Sequence, residues 1–245
     1  MSLKMIGVIP ARYASTRFPG KPLARIKDKP MIQWTIESAR KSTKLSEVIV
    51  ATDHEGIRQA AEDIGCEVVM TESSLPSGTD RVFAAVNHRN CDGIINIQGD
   101  EPLTISSHID LLCDALMDAN VEMATLAHPM SLPELENRNV VKVLVNEKGH
   151  AIYFSRFPIP YSRSEPQNNV LSMRHVGMYG YRKEFLQKFC SHAPSPIEIA
   201  ESLEQLRALD MGARIKVVLV NEVTHGVDTP EDLEKLENLM FSIVR

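Results

Sequence analysis

Cations and small residues crowd one short stretch near the N-terminus, IGVIPARYASTRFPGKPL from Ile6 to Leu23. Arg12, Arg17 and Lys21 stand beside Ser15 and Gly20. Small side chains let backbone approach an anion, and guanidinium and ammonium groups neutralise it, so the stretch suits a triphosphate. Two familiar phosphate loops are excluded. Gly20-Lys21 is followed by Pro22 rather than Ser or Thr, with no earlier Gly in Walker register, and no GxGxxG occurs. Further along, Gln98-Gly99-Asp100-Glu101-Pro102 puts a carboxylate just past an apolar run. Magnesium takes oxygen ligands and commonly only one or two carboxylates beside substrate phosphates, so Asp100 is a candidate ligand, or else a turn former before Pro102. Asp228, displayed just before Thr229-Pro230, is a candidate partner for it, or a second capping carboxylate. Ser77-Gly78-Thr79-Asp80-Arg81, read by itself, is a helix N-cap with a dispensable glycine.

These residues need elements to position them. Ile6 to Ile9, Glu47 to Thr52, Cys66 to Met70 and Asp92 to Ile97 are short apolar runs that read as buried strands, the first ended by Pro10. Helical patterns intervene from Pro30, after Asp53-His54, after Ser77 and over 106–119. Regular alternation of strand and helix implies a parallel sheet covered on both faces, and ligands of such sheets sit beyond the carboxyl ends of strands. Arg12, Asp100 and Asp228 all fall at such ends.

The second half changes character. Residues 122–127, 140–145 and 215–220 are strand-like, and Pro196 to Met211 reads as one helix ended by Gly212. Within that helix Glu201, Glu204, Gln205 and Arg207 lie off the apolar stripe, on a solvated face. Arg174 to Tyr181 alternates as a strand, with His175, Gly177, Tyr179 and Tyr181 on one face: either a wall for a polyol or a half-buried strand with a satisfied histidine. Phe157 to Asn169, rich in proline, reads as a mobile loop over the site. No linker divides the chain, so one domain over 1–245 is expected, with a smaller substrate-side lobe at about 121–220.

Composition narrows the class. The chain has 245 residues, 43% hydrophobic and 24% charged, as in ordinary globular proteins. A net charge of -5 gives no reason to expect nucleic acid or an anionic membrane, so the basic stretch is a local cluster for a small anion. The four cysteines include no CxxC pair, which argues against zinc and redox motifs and for a reducing compartment. No run is long enough to span a membrane, and the expected location is cytoplasmic.

The segments PARYASTRFPGKPL, VATD (Val50 to Asp53), SGTDR, QGDEP, YFSR (Tyr153 to Arg156), RHVGMYGY, LEQLR (Leu203 to Arg207) and GVDTPEDL (Gly226 to Leu233) together resemble the 3-deoxy-manno-octulosonate (Kdo) cytidylyltransferases. The first and fourth are shared more loosely with sialic acid cytidylyltransferases. The resemblance implies a mixed, mainly parallel twisted sheet flanked by helices, as in nucleotide-diphospho-sugar transferases, usually in a homodimer. It implies transfer of CMP from CTP to the anomeric hydroxyl of Kdo, with Mg²⁺, for lipopolysaccharide biosynthesis. By resemblance, Pro10, Ala11, Arg12, Ser15, Thr16, Arg17 and Lys21 hold the triphosphate. Ser77, Gly78, Thr79, Arg81 and Gln98 serve the cytidine, and Asp100 and Asp228 hold the metal. Gln98, Arg156, His175, Tyr179, Glu204 and Gln205 face the sugar acid, while Lys21, Arg12, Asp100 and Asp228 form the catalytic set. The alternatives are the same chemistry on 8-amino-Kdo or sialic acid, or a CTP-sensing module without turnover. A nicotinamide dehydrogenase would fit the alternation but lacks its glycines.

Overall fold

A computed structural model of the chain describes residues 3–14, 18–161, 163, 170–222 and 226–243. Ser15, Thr16 and Arg17, expected at the triphosphate, lie outside the described residues, as do residues 162 and 164–169 of the proline-rich loop. The chain divides into two compact units: Met1–Cys113 with Thr224–Arg245, and Asp114–Val223.

The first unit is a parallel sheet with helices. Its elements are β1 (Met5–Ala11), the short hairpin β2 (Arg25–Ile26) and β3 (Lys29–Pro30), α1 (Met31–Ala39), β4 (Glu47–Thr52), α2 (Glu55–Glu62), β5 (Glu67–Met70), α3 (Gly78–Val86), β6 (Gly93–Asn96) and α4 (Ser106–Ala115). The strand order is β6-β1-β4-β5, all parallel. Central β1 is apolar at nearly every position because both its faces are covered, and Ile6, Val8 and Ile9 have no solvent exposure. Pro10 was expected to end this strand, yet pairing with β4 continues through Ala11. The reason lies on the other side. Val8 accepts from Ile97 N at 2.9 Å, so Val8 and Pro10 point their polar groups towards β6, and pairing with β6 stops at Val8. Pro10 therefore has no ladder bond for its missing N–H to break.

The second unit contains β7 (Met123–Pro129), α5 (Leu132–Glu136), β8 (Lys142–Val145), β9 (Ala151–Ser155), β10 (Met173–Arg182), α6 (Lys183–Ser191), α7 (Pro196–Glu201), α8 (Gln205–Asp210) and β11 (Ile215–Leu219). β7 runs parallel to β11 and antiparallel to β10, β10 antiparallel to β8, and β8 antiparallel to β9. The helix expected over 196–211 is two helices. Ser202 adopts φ 53°, a left-handed backbone that ends α7, and its N–H returns to Glu198 O. The kink also overturns the solvated-face reading: Gln205 and Arg207 are buried. Arg207 pairs with Glu198 at 2.6 Å, and Glu198 caps α7 by accepting from Ser195 N.

The chain returns to the first unit with α9 (Pro230–Ile243). Thr229 and Asp232 cap it reciprocally: Thr229 N donates to Asp232 Oδ2 at 3.1 Å, and Asp232 N to Thr229 Oγ1 at 3.3 Å. Val227 and Leu236 join Ile26 and Met31 in an apolar cluster, with Phe18, Trp34, Leu103 and Leu233 against it. That burial carries the C-terminal segment, and Asp228 with it, back to the first unit.

Candidate active site

At the carboxyl edge of the first unit's sheet, three residues expected to do chemistry meet. Lys21 opens a 3₁₀ turn, Lys21–Leu23, behind Gly20 at φ 70°. Asp100 stands after β6, and Asp228 stands before α9. The Lys21 ammonium lies 2.8 Å from Asp100 Oδ2 and 3.3 Å from Asp228 Oδ1. Two backbone features hold this arrangement. A Cβ on Gly99 would sit 2.8 Å from Pro10 O, so only glycine lets the 98–102 turn lie against the end of β1. Val227 N donates to Asp100 O at 2.9 Å, which places residue 228 beside residue 100. The carboxylates are a third to a half exposed, so the ion pairs contribute little to stability and cost little to rearrange.

The donor set fits magnesium. Among the described residues no three of His, Cys, Asp or Glu gather as a metal cage. Two convergent carboxylates do, both touching one cation, which matches an ion that takes one or two carboxylates and completes its shell with water and phosphate oxygens.

The SGTDR turn is built to be rigid. Ser77 caps α3, accepting from Asp80 N at 3.1 Å and donating to Asp80 Oδ2 at 2.7 Å. Gly78 lies over Pro10, where an added Cβ would make only ordinary contact at 3.7 Å, so nothing in the protein itself demands glycine there. Thr79 and Arg81 are buried. The Arg81 guanidinium reaches Asp53 Oδ2 at 2.8 Å and also bonds Thr71 Oγ1, so it anchors the first turn of α3 to the ends of β4 and β5. Asp53, from VATD, also accepts from Tyr13 N at 3.4 Å, and Tyr13 stacks on His54 at 4.1 Å. Asp53 was not among the expected site residues; its signal was a lone carboxylate at a strand end, like that of Asp100. Ala11 is buried, Arg12 exposed, and Pro10 and Gln98 half-buried, all at the same edge.

The residues expected at a sugar acid all lie in the second unit, apart from Gln98. β10 slips against β7 between Val176 and Tyr179, where two extra residues bulge out. An insertion of two preserves alternation, so His175 and Tyr179 still share a face, ring centroids 5.4 Å apart. Thr125 Oγ1 fills the bulge, bonding Met178 O at 2.9 Å, Val176 O at 3.2 Å and His175 Nε2 at 2.9 Å. Carbonyls only accept, so the hydroxyl proton goes to one of them and His175 Nε2–H donates to the hydroxyl, leaving Nδ1 as an acceptor. Burial pulls the imidazole down to about 3, so it is neutral. Burial, and then the charge of Glu204, push the Tyr179 phenol well above its usual range. Tyr181 does not belong to this wall: it is 1% exposed and packs on Phe189.

Arg156, at the end of β9, lies on the α7–α8 joint. Its Nε donates to Glu201 O at 3.1 Å, and Glu201 Oε2 accepts from Arg156 N at 2.9 Å. Gln205 is buried, and its Nε2 has no hydrogen-bond partner among the described residues. A buried amide donor left unpaired is costly, which is a reason to expect a ligand there.

The family model described as "Cytidylyltransferase" matches residues 6–215. A 3-deoxy-manno-octulosonate cytidylyltransferase of Bdellovibrio bacteriovorus is 56% identical over 98% of this chain and 99% of its own length. The enzyme of the same name from Thermodesulfovibrio yellowstonii is 45% identical over 96% and 97%. A solved structure of CMP:2-keto-3-deoxy-manno-octonic acid synthetase, complexed with CTP, superposes with a TM-score of 0.93 at 42% identity, covering 98% of this chain and 99% of the other. The convergent lysine and carboxylates, the capped SGTDR turn and near-full-length similarity lead to one assignment: the chain belongs to the cytidylyltransferase family, among its 3-deoxy-manno-octulosonate members.

Proposed function

We propose that this protein transfers CMP from CTP to the anomeric hydroxyl of Kdo and releases pyrophosphate, with Mg²⁺, for lipopolysaccharide biosynthesis. The observation that carries the reading is the meeting of Lys21, Asp100 and Asp228 at the carboxyl edge of a parallel sheet. A CTP-sensing module has no need of paired carboxylates opposite a lysine. When bound, Mg²⁺ would be held by Asp100 and Asp228, neutralising phosphate charge and making the sugar hydroxyl more acidic. The rest falls to the protein. Arg12 and Lys21, with Ser15, Thr16 and Arg17, hold the triphosphate against the backbone of Pro10 and Ala11. Lys21 exchanges its carboxylate contacts for phosphate oxygens as CTP binds. Ser77, Gly78 and Thr79 present the first turn of α3 to the cytosine, with Arg81 fixing that turn and Gln98 beside it. Arg156 pairs with the sugar carboxylate. Neutral His175 accepts from a sugar hydroxyl, and Tyr179, Glu204 and Gln205 supply further polar groups. No covalent enzyme intermediate is needed, and catalysis is positioning and charge neutralisation.

The protein is proposed to act in the cytoplasm as a homodimer. No described helix is long and apolar enough to cross a membrane. The test is pyrophosphate release from CTP, Kdo and Mg²⁺, omitting each in turn. Release dependent on all three, with the mass of CMP-Kdo recovered, supports the proposal. CTP binding without release, or faster turnover of 8-amino-Kdo or sialic acid, contradicts it.

A further inference from the structure

Lys142 lies on β8 with no solvent exposure, and nothing in the proposed chemistry uses it. Its ammonium donates to two backbone carbonyls, Arg156 O at 2.7 Å and Asn137 O at 2.8 Å. No carboxylate lies within ion-pair distance of it among the described residues. Burying an ammonium is expensive, and two carbonyls only partly compensate. A neutral side chain would fill a strand position at lower cost, so the charge calls for a reason.

That reason is visible one residue away. The Arg156 peptide is held from both sides by ionisable groups. Its N–H donates to Glu201 Oε2 at 2.9 Å, and its carbonyl accepts from Lys142. Glu201 Oε1 also accepts from Ser155 Oγ at 2.7 Å, which fixes the preceding residue. The side chain is pinned at its root, with Nε on Glu201 O at 3.1 Å. By contrast, among the described residues the two terminal nitrogens make only long contacts, 3.4 Å to Arg138 O and 3.5 Å to Ser202 O. The guanidinium thus has a rigid base and a loosely held fork. A fork of that kind takes a carboxylate through two parallel hydrogen bonds, provided that its plane is set in advance.

We infer that Lys142, together with Glu201, is a positioning residue that aims the Arg156 guanidinium at the carboxylate of the acceptor sugar acid. The inference rests on the reading of Arg156 as the sugar-acid residue. Lys142 touches no substrate; it acts through the Arg156 backbone. Losing it lets the Arg156 carbonyl turn and spoils the fork's aim, which weakens sugar-acid binding and leaves the CTP side alone.

Steady-state kinetics of Lys142→Met, Glu201→Gln and Arg156→Ala, each varied separately in Kdo and in CTP, test this. The expected result for Lys142→Met is a KM for Kdo raised about tenfold, with the KM for CTP changed less than about twofold. Glu201→Gln, which keeps shape and loses charge, is expected to give the same split more weakly. Wild-type enzyme is expected to discriminate strongly between Kdo and its carboxamide, and Lys142→Met to lose most of that discrimination. Adding Lys142→Met to Arg156→Ala is expected to change nothing further. If Arg156→Ala leaves the KM for Kdo unchanged, the sugar-acid reading itself fails. If Arg156→Ala raises it while Lys142→Met, folded by circular dichroism, does not, the positioning role is overturned. If Lys142→Met does not fold, Glu201→Gln decides: an unchanged KM for Kdo, or equal effects on both substrates, overturns it too.

Discussion

Two candidate regions, one in each unit, solve opposite problems. The corner of Lys21, Asp100 and Asp228 is partly exposed, carried by loops and held by ion pairs that can exchange partners. The array around His175 and Tyr179 is half-buried, carried by a strand and its bulge, and held by neutral hydrogen bonds and ring packing. A metal triphosphate brings its own large charge, so the groups that meet it must be charged and free to rearrange. A sugar acid brings many hydroxyls and one carboxylate, so its partners need fixed directions more than charge. The difference also governs what proton concentration can do. Burial keeps the His175 imidazole neutral down to about 3, so it carries no charge near neutrality.

Breaking the exposed corner should have the largest effect. Asp100→Asn is expected to lower turnover about a thousandfold in pyrophosphate release while leaving CTP affinity, measured by calorimetry, within a few fold. Lys21→Ala should lower kcat/KM for CTP about a hundredfold with little change in melting temperature, because ion pairs to carboxylates a third to a half exposed add little stability. A melting temperature that falls in step with activity would give Lys21 a structural role instead.

Behind that corner the buried pair of Arg81 and Asp53 marks a third regime. Asp53→Ala leaves a buried guanidinium without its charge partner and is expected to cost about 3–5 kcal/mol in denaturant unfolding. An unchanged midpoint would mean that Arg81 is not held as described. The smallest effects concern pH. His175 has a depressed pKa when folded, so the unfolded chain takes up its proton first. The contribution of His175 to stability is therefore complete above about 6.5 and declines as pH falls towards about 3. Glu134 accepts from Ser131 N and lies 2.8 Å from Arg174, which holds its carboxyl at about 2. Its contribution is complete above about 4.5 and is lost as pH falls towards 2. His175→Gln should flatten the loss between 6 and 4, and Glu134→Gln the loss below 4.5, in unfolding curves taken across that range. The kcat/KM for Kdo should show no step at 6.5 that disappears in His175→Gln.

The contrast between regions also explains what the sequence could convey. The four parallel strands of unit one were legible because each is a mostly apolar run, and Arg12 and Asp100 stand just past such runs; the short hairpin β2–β3 carried no such signal, and Asp228 is brought to Asp100 by the Val227 bond and burial. Unit two resisted for local reasons. Ser202 takes a left-handed backbone without being glycine, so nothing marked the break that buries Gln205 and Arg207. The β10 bulge is hidden because two inserted residues leave alternation intact. Tyr181 and Tyr179 share a face by pattern, and only packing against Phe189 separates core from wall. Lys142 within VVKVLV read simply as part of a strand, and its burial is tertiary.

The proposed chemistry requires that Asp100 and Asp228 form one metal-binding corner. Electron paramagnetic resonance of Mn²⁺, a Mg²⁺ surrogate, measures that directly without turnover. Titrating protein into Mn²⁺ and CTP should remove the free-ion signal in the wild-type protein, with clearly weaker removal in Asp100→Asn and in Asp228→Asn alike. Equal binding in the wild type and both variants would contradict it.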